Sequence, residues 1–161
     1  MAGSLLGVTA ISVPALAAAA PAAPERGAAI VELLNDARAE RGLPPLRFSR
    51  RLARSALVHS RDMVANHYFA HDSRSGARFS ARIARTGWMR GRGRWRVGET
   101  LAWGVGRHAT PASVVKAWLR SPSHRRIVLS PSFSLVGPGI VPGTPFRGAS
   151  AGRTYTADFG S

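Results

Sequence analysis

The stretch from Arg50 to His67 narrows most what this chain can become. Leu52, Ala53, Ala56, Leu57, Met63 and Val64 recur at helical spacing on one broad face. Ser49 stands directly before the stretch, where a hydroxyl can cap the first turn. A helix that is apolar on so wide a face has to cover another layer. Upstream, Ile30, Val31, Leu34 and Ala37 form a second stripe, which predicts a helix from Ala28 to Arg41 stopped by Gly42. Leu43-Pro44-Pro45-Leu46 reads as a stiff extended connector between the two. Downstream, Phe79 and Ile83 support only a short third helix, and the run Arg90 to Arg96, with two glycines and four arginines, reads as an exposed loop.

The second half changes character. Glu99 to Trp103 suits a buried strand entered from that loop. Thr110-Pro111 gives an N-cap followed by proline at the first helical position, for a helix to about Arg120. Ser121-Pro122 repeats the signal, so a further short helical turn holds His124. Leu135 to Val141 and Arg153 to Phe159 read as strands joined by the glycine-rich segment Pro142 to Gly152. Helices followed by strands mixed with helices imply an α+β fold. At 161 residues and 45% apolar content this is one domain with one core. It has no cysteine, which excludes a disulfide framework and any thiolate metal site; packing alone must hold it.

Leu5 to Ala20 is apolar and uncharged, and Ala17-x-Ala19 and Ala20-x-Ala22 fit the small-x-small pattern of a secretory cleavage site. No Lys or Arg precedes the run, and Pro14 interrupts it. An uncleaved membrane anchor is the competing interpretation, for which the run is short. The expected division is a signal peptide over 1–22, a linker over 23–29 and a single domain over 30–161, with the product secreted or held at the cell envelope. The formal net charge is +15, and Lys116 is the only lysine among 23 cationic side chains. That charge favours anionic surfaces, lipid or acidic wall polymer once the chain is exported; a coding bias toward arginine would produce the same count with no partner implied. Arginines spread over every segment instead of lining one element, which argues against a nucleic-acid interface.

Three blocks carry chemistry: Tyr68-Phe69-Ala70-His71, Gly98-Glu99-Thr100-Leu101-Ala102, and Trp118-Leu119-Arg120-Ser121-Pro122-Ser123-His124-Arg125. With Leu34-Asn35-x-x-Arg38, Gly42-Leu43-Pro44-Pro45-Leu46, Leu52-x-x-x-Ala56-x-x-His59-Ser60-x-x-Met63 and the closing Tyr155-x-x-Asp158-Phe159-Gly160, they resemble the CAP superfamily of SCP/PR-1-like proteins in its short bacterial secreted form. The resemblance runs from about Ile30 to Gly160. It implies an α-β-α sandwich with a central antiparallel sheet between helical layers, and a monomer.

The resemblance also implies that His71, Glu99 and His124 line one cleft, with Ser121 beside them, and that a divalent metal such as zinc, where the family holds one, sits on His71 and His124. Two neutral imidazoles and a carboxylate suit zinc with a position left open, and a histidine in the first turn of a helix is biased toward the neutral form. Glu99 can instead orient a histidine, or act as a base through water. A hydrogen-bonded network without metal or turnover is the remaining alternative. Larger family members place a second glutamate three residues after the helix tryptophan; here that position is Ser121, which weakens any paired-acid mechanism. Thr100 stands where Asn usually follows Gly-Glu. His59 reads as a core residue, His67 as a helix-end residue and His108 as a solvated one. None of Ser60, Ser121 and Ser123 sits in a nucleophile elbow. Trp88, Trp95, Trp103 and Trp118 read as core or cleft wall, except that Trp95 between Arg94 and Arg96 can rest on an anionic surface. The function expected is a binding module for a divalent metal, small ligand, lipid or cell-wall fragment. The alternative is a secreted metal-dependent hydrolase of peptide or wall polymer, its catalytic residues unassigned.

Overall fold

The computed structural model describes residues 23–148 and 151–161. The expected signal peptide therefore lies outside the described residues. In chain order the elements are α1 (Ala23–Ala39), β1 (Arg47–Phe48), α2 (Arg50–Asn66), α3 (Phe79–Arg85), β2 (Val97–Val105), a 3₁₀ turn (Gly106–Ala109), α4 (Pro111–Arg120), α5 (Pro122–Val128), β3 (Leu135–Pro142) and β4 (Gly152–Gly160). The strands form one sheet in the order β1-β3-β4-β2. β4 pairs antiparallel with both β2 and β3, while β1 adds a two-residue parallel pairing to β3. The sheet is thus antiparallel at its centre and parallel at one edge. That short edge strand falls at the end of the proline connector, a segment read from sequence only as extended.

The two faces of the sheet differ chemically because side chains alternate along each strand. Val136 and Ile140 of β3 and Tyr155, Ala157 and Phe159 of β4 point to one face. They form the main core with Ile30 and Leu34 of α1, Val114, Val115 and Trp118 of α4, and Val128 of α5. The intervening residues, Gly137, Gly139, Thr154, Thr156 and Asp158, face α2. There the packing depends on glycine: a Cβ on Gly137 would stand 2.0 Å from the Ala53 backbone nitrogen, and one on Gly139 2.1 Å from that of Leu57. α2 therefore lies directly on the sheet backbone. Its Ser60 hydroxyl meets the Gly139 carbonyl and the Thr156 hydroxyl, each at 2.9 Å. A smaller cluster of Leu52, Ile83 and Trp88 fixes α3 against α2.

Arg38, fully buried, ties the helical layer to the loops. Its guanidinium donates to the carbonyls of Pro44 (2.9 Å), Val128 (2.8 Å), Ser130 (2.9 Å) and Phe133 (3.2 Å). Two expectations need correction. α1 begins at Ala23, so residues 23–29, expected as a linker, form its first turns; Pro24 is compatible because a first-turn residue has no intrahelical partner for its missing N–H. Trp103, expected in a buried strand, is 40% exposed. β2 is the edge strand at that point, and Phe146 of the β3–β4 connection covers the indole edge-on at 5.2 Å. Trp88 and Trp118 are buried as expected, and Trp95 is 45% exposed.

Candidate functional site

α2 ends at Asn66, where His67 takes the left-handed conformation (φ 53°) and turns the chain outward. The Tyr68 hydroxyl donates to Asp62 one turn back, fixing the direction of this exit. The turn brings His71 over the start of β2. There the His71 Nδ1–H donates to Glu99 Oε1 at 2.9 Å. The Glu99 side chain is fully buried, whereas that of His71 is half exposed. The second oxygen of Glu99 accepts from Arg82 Nη2 of α3, and Arg82 Nη1 donates to the His71 carbonyl at 2.8 Å. One guanidinium thus grips the histidine through its own backbone and through the carboxylate that orients its ring. With Nδ1 carrying the proton, the neutral ring keeps its lone pair on Nε2.

His124 lies in the first turn of α5. Its ring is held below the ordinary histidine range, first by burial and second by the positive charge His71 can carry. The imidazoles are therefore electrostatic neighbours, and His124 is neutral at physiological pH. No hydrogen bond joins His124 to Glu99 among the described residues. Ser121 caps the junction of α4 and α5 by position, but its hydroxyl meets Ser123 Oγ at 3.1 Å and not the histidines.

Behind Glu99 is a group that the three sequence blocks did not assign. Asp158 of β4 is the direct cross-strand partner of Glu99 and is fully buried. Burial, then the adjacent Glu99 charge, pushes its carboxyl well above the usual range. Ser55 of α2 lies beside it without full hydrogen-bond geometry. One guanidinium thus serves two adjacent acids, and two buried carboxylates side by side resist ionising together beside a single cation. Arg82 had no distinguishing signal in so arginine-rich a chain. Asp158 did, being the one acid in a closing strand whose neighbours are apolar.

The other histidines lie where expected. His59 is fully buried, donates from Nε2 to the Ala70 carbonyl at 2.8 Å, and is held neutral chiefly by desolvation. His108 is exposed on the 3₁₀ turn.

The donor set limits what a metal can find here. Both Glu99 oxygens are engaged, and among the described residues no group of three or more His, Asp or Glu is placed to hold an ion. Two imidazoles alone cannot make a closed structural zinc, which takes four protein ligands.

A four-stranded sheet between helical layers, with a histidine-bearing loop and a histidine-bearing short helix at its rim, defines an α-β-α sandwich of the SCP type. Residues 31–158 match the model of the CAP, cysteine-rich secretory protein family, and the chain belongs to that family. It is 37% identical over 113 residues to the uncharacterized protein YkwD of Bacillus subtilis, covering 70% of this chain and 41% of YkwD. An extracellular SCP-domain protein of Bacillus anthracis superposes with TM-score 0.70 at 28% identity, over 84% of this chain and 40% of that one. This chain therefore spans less than half the length of both. An outer surface protein of Borrelia burgdorferi shares the fold, with TM-score 0.66 at 20% identity over 82% of this chain and 89% of that one. No helix among the described residues is long and apolar enough to cross a membrane.

Proposed function

We propose that this chain is an extracellular or envelope-associated binding module whose His71/His124 rim takes a divalent ion such as zinc, or a small ligand in its place. The observation that carries this is the double engagement of Glu99 by His71 and Arg82. A carboxylate so held orients an imidazole and raises its basicity, as outer-shell carboxylates do for metal-bound histidines. It has no free oxygen with which to activate water. For the same reason the hydrolase alternative gains no support from the geometry: the other acid nearby, Asp158, is fully buried and reaches no solvent. A place outside the cell is supported by the apolar leader-like run Leu5 to Ala20 and by the likeness to an extracellular protein. A lipid or wall fragment as ligand, and a monomeric state, belong to the same proposal.

Zinc titration of residues 23–161 by calorimetry, beside a His71→Ala/His124→Ala variant, tests it. Expected is wild-type binding at about micromolar affinity or tighter, worth about 8 kcal/mol, and its loss in the double variant. Equal binding by both proteins, or none by either, would remove the metal from the proposal and leave a cradle to be tested against lipids and wall fragments.

A further inference from the structure

A concavity lies against Arg82, between α2 and the end of α3. It measures about 230 Å³ and is lined by Arg54, Ser55 and Val58 of α2 and by Arg82, Arg85 and Thr86 at the end of α3. No carboxylate lines it. Arg54 and Arg85 at its mouth are exposed, and neither makes a hydrogen bond or ion pair with another described residue. Two uncommitted guanidiniums facing one hollow repel each other and gain from a shared anion.

The floor points the same way. Arg82 is 5% exposed and its Nε is buried without a hydrogen-bond partner, while Ser55, 2% exposed, lines the same floor with its hydroxyl beside Asp158. Buried polar groups are rarely left unpaired, because the lost hydration is not replaced. Nη1 and Nη2 already donate to the His71 carbonyl, Ser73 and Glu99, so Nε is the one guanidinium nitrogen with no partner. Thr86 is fixed by its own bond to the Ile83 carbonyl at 2.7 Å, which leaves its oxygen as wall. Val58, 53% exposed, supplies an apolar lip.

We infer that this α2–α3 pocket is a phosphate-ester site: Arg54 and Arg85 clamp the phosphoryl oxygens, Ser55 and Arg82 complete the floor, and Val58 borders the organic substituent. Forked guanidiniums match phosphoryl oxygens in pairs, and the apolar lip favours an ester over the bare ion. The ester can be a small soluble phosphate or the headgroup of an anionic lipid; the pocket chemistry is the same. No histidine lines this pocket, and it meets the histidine site only through Arg82, which also holds Glu99.

Two-dimensional NMR of residues 23–161 in about 150 mM salt, where diffuse attraction is screened, tests it with glycerol phosphate and inorganic phosphate. A flotation assay with phosphatidylglycerol vesicles against phosphatidylcholine vesicles supplies the lipid arm. The variants are Arg54→Ser/Arg85→Ser and a charge-matched control, Lys116→Ser/Arg120→Ser, on the exposed side of α4; thermal melts confirm that both fold. Expected are saturable shifts centred on Ser55 and Thr86, tighter for glycerol phosphate than for inorganic phosphate. The arginine variant should bind at least about tenfold more weakly, and the control and His71→Ala/His124→Ala should bind unchanged. Binding in the soluble arm assigns a free ester, and binding only to anionic vesicles assigns a headgroup. Non-saturating shifts, shifts centred elsewhere, or equal weakening in the two charge variants would overturn the site and leave only the general attraction of a +15 chain.

Discussion

Asp158→Asn tests the proton count in the buried cluster. The Asp158 carboxyl is pushed well above its ordinary range because burial and Glu99 both oppose its ionisation. In the unfolded chain it ionises near its ordinary value of 3.8. Between that value and the raised folded one, the native state holds a proton that the unfolded state has lost. Stability contributed by this group is therefore complete below the unfolded value and is lost as pH rises toward the folded one. The slope needs no knowledge of where the folded value lies: one proton corresponds to at most about 1.4 kcal/mol per pH unit.

Asparagine has nearly the shape of the protonated acid and cannot titrate. At about pH 4 the variant and the wild type should differ by no more than roughly 1 kcal/mol, the usual net worth of one hydrogen bond. As pH rises, wild-type stability should fall relative to the variant by up to roughly 3 kcal/mol over two pH units. Urea unfolding of both proteins at half-unit steps measures the difference directly, and titrating groups that do not interact with Asp158 cancel in the comparison. Two parallel stability curves would show that Asp158 is already ionised in the fold, and the balance drawn around Arg82 would be wrong.

Four further outcomes follow from the packing. Glu99→Gln leaves Arg82 without its anion and His71 without its orienting acceptor. It should cost about 3 kcal/mol, the low end for a broken buried pair, because Asp158 can ionise in its place; zinc affinity should fall roughly 10- to 100-fold by calorimetry. Gly139→Ala drives a methyl into the α2 backbone and should cost about 3 kcal/mol or more in urea unfolding. Gly27→Ala, whose Cβ would meet only Pro138 at 3.9 Å, should be neutral or stabilising by up to about 1 kcal/mol. Arg38→Lys cannot serve four carbonyls that lie on three segments of chain, and should lower stability by about 3 kcal/mol in the same assay.

How far the fold could be read from sequence depended on whether an element announces itself locally. α2, α4 and α5 did: a capping Ser or Thr, a proline at the first helical position, and apolar residues at helical spacing are local signals, and the helices start at Arg50, Pro111 and Pro122 accordingly. The first turns of α1 did not, because Pro24 and Gly27 carry the composition of a linker. β1 did not either. Two residues have no periodicity, and their strand character comes wholly from pairing with Leu135 and Val136 far along the chain.

The site divides along the same line. His71, Glu99 and His124 stood out because each sits in a distinctive block, yet nothing in those blocks fixes which atom of Glu99 faces which partner. That is settled by strand register. Pairing Glu99 with Asp158 places two acids side by side on the face of the sheet that also carries Gly137, Gly139 and Thr156 against α2. Two carboxylates cannot both ionise there without a counter-charge, so the pairing itself calls for one cation and one proton. Arg82 supplies the cation because α3 is held over the cluster by Ile83, the very next residue, which is buried against Leu52 and Trp88. Once Arg82 is committed, Glu99 is saturated and His71 is locked with Nε2 free. The binding-ready histidine is thus a consequence of burying Asp158, and any change that lets Asp158 ionise should be felt at His71 as competition for the same guanidinium.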